Sequence, residues 1–226
     1  MDKTARALSE AVMPVIIHFA AVSLLTIACE ALFPGMEAGT RLTGVTVLAA
    51  VLCLPLFAAM YDSDMKRGRF PAGERMEIRE IRRRIPALIL SFAGGAACSA
   101  AAGIIMRGAG LYRVFSNDTQ EMLLGSPLLL QLFGIGLAVP VCEELLYRGL
   151  VYGRVRSMIP RRWAILLCCL LFAAGHGNVI QAIYAFPMAL ILTVLYERNR
   201  SLAVPVLFHI GANMLTVVMN ALGFTL

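Results

Sequence analysis

Seven apolar stretches succeed one another through the chain, at about 11–33, 42–61, 85–106, 126–147, 163–177, 179–196 and 201–224. Polar segments separate them. An α-helix needs roughly 20 apolar residues to cross the hydrocarbon of a bilayer, and all but the shortest stretches approach that length. None shows the alternating ten-residue strands of a membrane β-barrel. The sequence therefore predicts an all-α, polytopic membrane bundle of about seven transmembrane helices. Pro34-Gly35 ends the first stretch, and Ser126-Pro127 opens the fourth with proline at a tolerated early position. The fifth is short and runs into the polar Gly175-His176-Gly177-Asn178.

Composition agrees. Of the 226 residues 59% are hydrophobic and 15% charged, and mean hydropathy is +0.78. A soluble domain carries about 25% charged residues. We read residues 1–226 as one integral-membrane domain, with three spans and their loops in 1–125 and the unusual polar residues in 126–226. The first stretch is long enough to be a retained span and is not read as a cleaved signal.

The net charge of +6 changes the picture only as topology. Lys and Arg gather between apolar stretches, without the stacking aromatics of a nucleic-acid surface, so no nucleic-acid partner is expected. With a cytoplasmic N-terminus, sixteen of the 20 Lys and Arg fall on the inner side, Arg41, Arg107 and Arg113 on the outer side, and Arg148 inside a span. This bias orients seven spans with the N-terminus in and the C-terminus out. The connection Asp62–Arg84 is expected to hold an interfacial helix over its "ERMEIREIRRR" end. The loop from Arg107 to Gly125 shows no motif. Six cysteines, all within apolar stretches and without metal-ligand spacing, are expected to be reduced packing residues.

Ionisable residues inside spans point to function by default. They are His18, Glu30, Glu143, Glu144, Arg148, His176 and His209, with Asn213 as the notable amide. His18 and Glu30 stand alone and receive no role. The others fall in three groups. In "EELLYRG" Glu144 and Arg148 are four apart and can pair, while Glu143 is rotated about 100° away. In "FAAGH" Phe172 and His176 share a face, as do His209 and Asn213 in "HIGAN". Counted from Arg156, Trp163 and Arg200, helical rise puts Glu143, His176 and Asn213 each about 20 Å inward and His209 about 14 Å, close to one level. This requires the fourth helix to continue to Arg156. Pro140 removes a backbone donor three residues before Glu143 and is expected to bend the helix and open room for water.

A buried carboxylate beside an imidazole can deprotonate water, and imidazole or amide donors can hold an oxyanion. The same set, Glu143, His176 and His209, can also offer three ligands to Zn²⁺. The residues leave both readings open. There is no HExxH, no serine in a rhomboid-like setting, and Asp2, Asp62, Asp64 and Asp118 lie outside the spans, against an aspartyl mechanism.

The motifs EExxxR, FxxxH and HxxxN, in this order over Pro127–Asn213, resemble those of the CPBP intramembrane proteases. That family includes the type II CAAX prenyl endopeptidases and bacterial Abi proteins. The resemblance implies an intramembrane endopeptidase with Glu143 as catalytic base, His176 on the water, and His209 and Asn213 at the oxyanion. Glu144, Arg148 and Phe172 would support the site. The family has been described both as metalloproteases and as metal-independent glutamate proteases. The carboxylate–imidazole–amide set is sufficient without metal, so we favour the second. The expected substrate is a membrane-associated peptide or protein, and the expected location a bacterial plasma membrane. Two rival readings are a non-catalytic scaffold or immunity protein and a proton-coupled transporter. The polar set is confined to three helices and no inverted repeat is visible, which counts against transport.

Overall fold

The computed structural model describes the backbone of residues 3–68 and 78–224, and side chains except those of 3–8 and 78–83. The described residues form nine helices: α1 Lys3–Leu32, α2 Ala38–Lys66, α3 Ile78–Gly108, α4 Leu111–Val114, α5 Asp118–Leu124, α6 Leu128–Arg156, α7 Arg161–Gly175, α8 Val179–Asn199 and α9 Ala203–Ala221. No strand occurs among them. Six helices, α1, α2, α3, α6, α8 and α9, are long and apolar enough to cross a membrane. The seventh expected span, α7, has 15 residues. Its length of about 22 Å falls short of a ~30 Å hydrocarbon core. The molecule is a helical membrane bundle.

The apolar stretches understate the helices, because charged residues continue several of them. α6 runs on through Arg154 and Arg156, as the depth comparison required. Arg154 is buried and paired with Asp64 at 2.6 Å. Asp64 is therefore not a connection residue but part of the last turns of α2. Arg156 pairs with Glu197 of α8, which also accepts from the Tyr152 hydroxyl. The expected interfacial helix over Glu74–Arg84 falls partly outside the described residues, and from Ile78 onward the chain is already α3. The motif-free loop contains α4 and α5. It is tied to α8 by Tyr184, whose hydroxyl donates to Gln120 Oε1 at 2.9 Å.

The core lies between α1, α2, α6, α7 and α8. On its flank α3 crosses α9 in close backbone contact. A Cβ on Gly95 would strike the Phe208 carbonyl, and one on Gly211 the Phe92 carbonyl. Small residues let membrane helices approach in this way. Ser91 Oγ donates to the Val204 carbonyl at 2.7 Å, and Ser99 and Thr216 hydroxyls meet at 3.0 Å across the same seam. Since Gly211 stands between His209 and Asn213, this crossing fixes the height of both. A turn at Gly177, with φ +65°, sends α7 directly back into α8, with Asn178 capping α8 through Ile180 N–H. All six cysteines are free, as expected.

Candidate active site

The site begins with a backbone misfit in α6. Its segments Gln131–Ala138 and Leu145–Tyr152 are π-wound and flank Val139–Glu144, which carries both carboxylates. π-turns recur at functional sites. Here one cause is readable. The Val139 N–H bonds back to the Gly134 carbonyl, and Pro140 has no N–H, so the Ile135 carbonyl loses both helical donors. Asn213 Nδ2 donates to that carbonyl at 2.9 Å. The effect expected of Pro140 thus takes the form of π winding, and the HxxxN asparagine holds it from α9.

Glu144 and Arg148 pair as the spacing predicts, Oε1 to Nη1 at 2.8 Å, both fully buried. Arg148 Nη2 also donates to the Ala189 carbonyl at 3.3 Å, and the guanidinium lies 4.4 Å from the centre of the Phe172 ring. Such a cation–π contact adds roughly 0.5–2 kcal/mol. The cluster is not closed on itself, for Glu144 Oε2 and Arg148 Nε have no partner.

His209 ties the two carboxylates together. Its Nδ1 is 2.8 Å from Glu144 Oε1, and its Nε2 is 3.7 Å from Glu143 Oε2. An ionised carboxylate only accepts, so Nδ1 carries the proton and Nε2 faces Glu143. The Glu143 side chain keeps 22% of its surface accessible, against none for Glu144. One carboxylate is therefore locked by Arg148 and His209, and its neighbour is left open. The 100° rotation separates them as anticipated. The imidazole nearest Glu143 in this cluster is His209, however, and not His176.

His176 caps the end of α7, with Nδ1 bonded to the Phe172 carbonyl at 2.9 Å. Among the described residues no hydrogen bond joins it to Glu143. Phe172 packs against both later histidines, its ring centre 4.9 Å from that of His176 and 5.9 Å from that of His209. It also packs edge-on against Tyr147 at 5.1 Å. The structure thus gathers Glu143, Glu144, Arg148, Phe172 and His209 tightly, packs His176 on Phe172, and engages Asn213 with the backbone of α6.

Zinc is the group to test against this set. Among the described residues no three His, Cys, Asp or Glu side chains are close enough together to hold a metal. His209 and His176 each engage Nδ1, with Glu144 and with the Phe172 carbonyl, which leaves Nε2 of both rings open to a ligand.

Sequence reasoning passed over α1. That helix packs on the π-wound half of α6 and on α2. His18 stands on it, its ring centre 6.0 Å from that of Phe19 and 6.4 Å from that of Phe57 on α2. The neighbouring Phe19 would be 3.6 Å from a Cβ on Gly175, beside His176. The signal was available, since His18 is an intramembrane histidine, but helical periodicity does not say which helices become neighbours.

Buried charges organised around an accessible carboxylate, between the helices of a membrane bundle, define an integral membrane protein with a polar intramembrane site. Residues 125–215 match the family model described as Rce1-like, type II CAAX prenyl endopeptidase Rce1-like, and over this stretch the chain is similar to that family. The match takes in all three motifs. Comparison with curated proteins and with solved structures gave no match.

Proposed function

We propose that the protein is an intramembrane endopeptidase in which Glu143 activates water for attack on a peptide bond. The observation that carries this reading is the unequal pair: Glu144 is sealed by Arg148 and His209, while Glu143 stays accessible with His209 Nε2 at 3.7 Å. That separation is too long for a direct hydrogen bond and suits two groups sharing one water. Glu143 takes a proton from the water, whose oxygen attacks the carbonyl carbon. The proton then passes to the amide nitrogen as the carbon–nitrogen bond breaks. Imidazole and amide donors stabilise the oxyanion. His209 stands closest to Glu143, which favours it over His176 on the water. His176, with Nδ1 engaged by Phe172, and the second N–H of Asn213 are then the donors for the oxyanion. The family's description makes a membrane-associated peptide, prenylated near a C-terminal cysteine, the first substrate class to try. The cytoplasmic N-terminus and bacterial plasma membrane belong to the same proposal.

The test is cleavage of quenched fluorescent peptides, with and without a farnesylated cysteine, by the full chain in lipid nanodiscs. Glu143→Gln is expected to reduce turnover by about 10²-fold or more, the usual weight of a general base. A chelator such as 1,10-phenanthroline is expected to leave turnover unchanged. Full turnover by Glu143→Gln would sink the endopeptidase reading and leave a membrane scaffold standing. Loss to the chelator, restored by zinc, would replace the metal-independent step.

A further inference from the structure

A cavity of about 600 Å³ lies where α3 and α9 end against α4 and α5, at the end of the bundle away from Arg154 and Arg156. That is a usual size for a ligand pocket. Three side-chain amides line it, those of Asn117, Gln120 and Asn220, together with Thr216 and Glu121. Two of the amides are only half used. Gln120 Oε1 accepts from Asn117 Nδ2 and from the Tyr184 hydroxyl, both at 2.9 Å, and its Nε2 has no partner among the described residues. Asn220 Nδ2 donates to the Leu124 carbonyl at 2.9 Å, and its Oδ1 likewise has no partner among them. Both free atoms keep access to solvent. The cavity therefore offers a donor and an acceptor, the two groups that a peptide backbone can pair with.

Its walls are tied to the elements that carry the Glu143 site. Asn178, two residues past His176, donates from Nδ2 to the Ser116 carbonyl at 3.5 Å, and Tyr184 of α8 holds Gln120. On α9, Asn213, Thr216 and Asn220 follow His209 at spacings of four, seven and eleven positions, which is one face of a helix. By helical rise Thr216 lies about 10 Å and Asn220 about 16 Å beyond His209. An extended peptide advances about 3.3 Å per residue, so about three to five residues cover that distance.

We infer that this cavity is a subsite for an extended peptide segment of the substrate, about three to five residues from the bond cleaved at Glu143. Gln120 Nε2 donates to a peptide carbonyl of that segment, and Asn220 Oδ1 accepts from a peptide N–H. This rests on the proposed role of Glu143. It describes the substrate by a polar, extended run at a set distance from the cleaved bond. It gives α3, α4 and α5 a part in recognition, although they lie outside the matched stretch 125–215. Under the proposed orientation this end of the bundle faces outward, so the segment is one that the substrate presents on the outer side.

Two measurements on the full chain in nanodiscs test this. The first uses the quenched fluorescent peptides, lengthened stepwise on either side of the cleaved bond by alternating asparagine and serine, up to about six residues. KM is expected to fall about tenfold once the extension on one side passes about three to five residues, the weight of one hydrogen bond. Gln120→Glu keeps the oxygen that Asn117 and Tyr184 use but replaces the free donor with an acceptor. It is expected to return the long peptides to the KM of the short one. A KM independent of length, or the same gain in Gln120→Glu, overturns the inference. An equal gain from leucine extensions also overturns it, since that is partition into lipid rather than recognition. The second measurement needs no turnover. A peptide carrying a benzophenone at the far end of its asparagine–serine extension is expected to crosslink to residues 107–125 or 216–224 of the unsubstituted chain, read by mass spectrometry after digestion. Labelling confined to other segments overturns the inference. Loss of turnover in Glu143→Gln together with a length-independent KM in the unsubstituted chain would remove the subsite and leave the endopeptidase reading intact.

Discussion

Glu144 and Arg148 are the most demanding residues in the protein, because both are fully buried and each depends on the other. Breaking a buried pair leaves a charge without compensation and costs about 3–5 kcal/mol, more than the pair contributes over an apolar replacement. Arg148→Met is therefore expected to destabilise the chain by about that amount, since Glu144 would keep only His209. Glu144→Gln combined with Arg148→Met is expected to lose less than Arg148→Met alone, for it removes both charges yet leaves an oxygen for His209 Nδ1–H. Denaturant unfolding in detergent micelles measures both. Arg148→Lys would not substitute, as a lysine cannot donate to Glu144 and the Ala189 carbonyl while lying flat on Phe172. The EExxxR pairing was legible from spacing alone, because residues four apart on one helix meet whatever surrounds them. The bond from Glu144 to His209 was not, because it joins residues 65 positions apart.

Among the helices, α6 and α9 act on each other through one carbonyl. The Ile135 oxygen has lost its helical donors to the π-turn and to Pro140, and Asn213 serves it. Asn213→Ala is expected to cost about 1–3 kcal/mol by leaving that oxygen unsatisfied. In a Pro140→Ala background the cost is expected to shrink, because a backbone N–H at position 140 can reach the carbonyl that proline abandons. A double-mutant cycle on thermal unfolding measures this coupling, and additive losses would refute it. Sequence reading saw the proline and the asparagine separately. It assigned a bend to the first and oxyanion chemistry to the second, and had no means of seeing that one answers the other.

Across the whole molecule, α7 is the element on which the topology turns. Its 15 residues are too few to span by length, yet charge placement counts it as a crossing. The short α7–α8 turn and its tether to the α4–α5 segment supply a reason: the turn can lie within the bilayer depth because polar residues from elsewhere in the chain meet it there. Asn178 Nδ2 reaches the Ser116 carbonyl at 3.5 Å, and Tyr184 reaches Gln120. Reporter fusions at the two ends of the chain are expected to read opposite sides of the membrane, with the N-terminal reporter cytoplasmic. Both reporters on one side would mean that the chain crosses an even number of times and that α7 does not act as a span.

Local rules were enough to identify the class of protein, the helices, the Glu144–Arg148 pair and the motif residues from which a site had to be made. Apolar length, i to i+4 spacing and charge placement each act within a few residues, so they can be read from the chain. The partners across helices needed the packing. Close contact at Gly95 and Gly211 sets the height of His209, and the packing of α9 on α6 joins its imidazole to Glu144. Apolar helix surfaces are nearly interchangeable in lipid, so composition does not choose neighbours. Small residues and buried polar groups choose them, by where two backbones can touch and which carbonyls and carboxylates would otherwise be left without a partner.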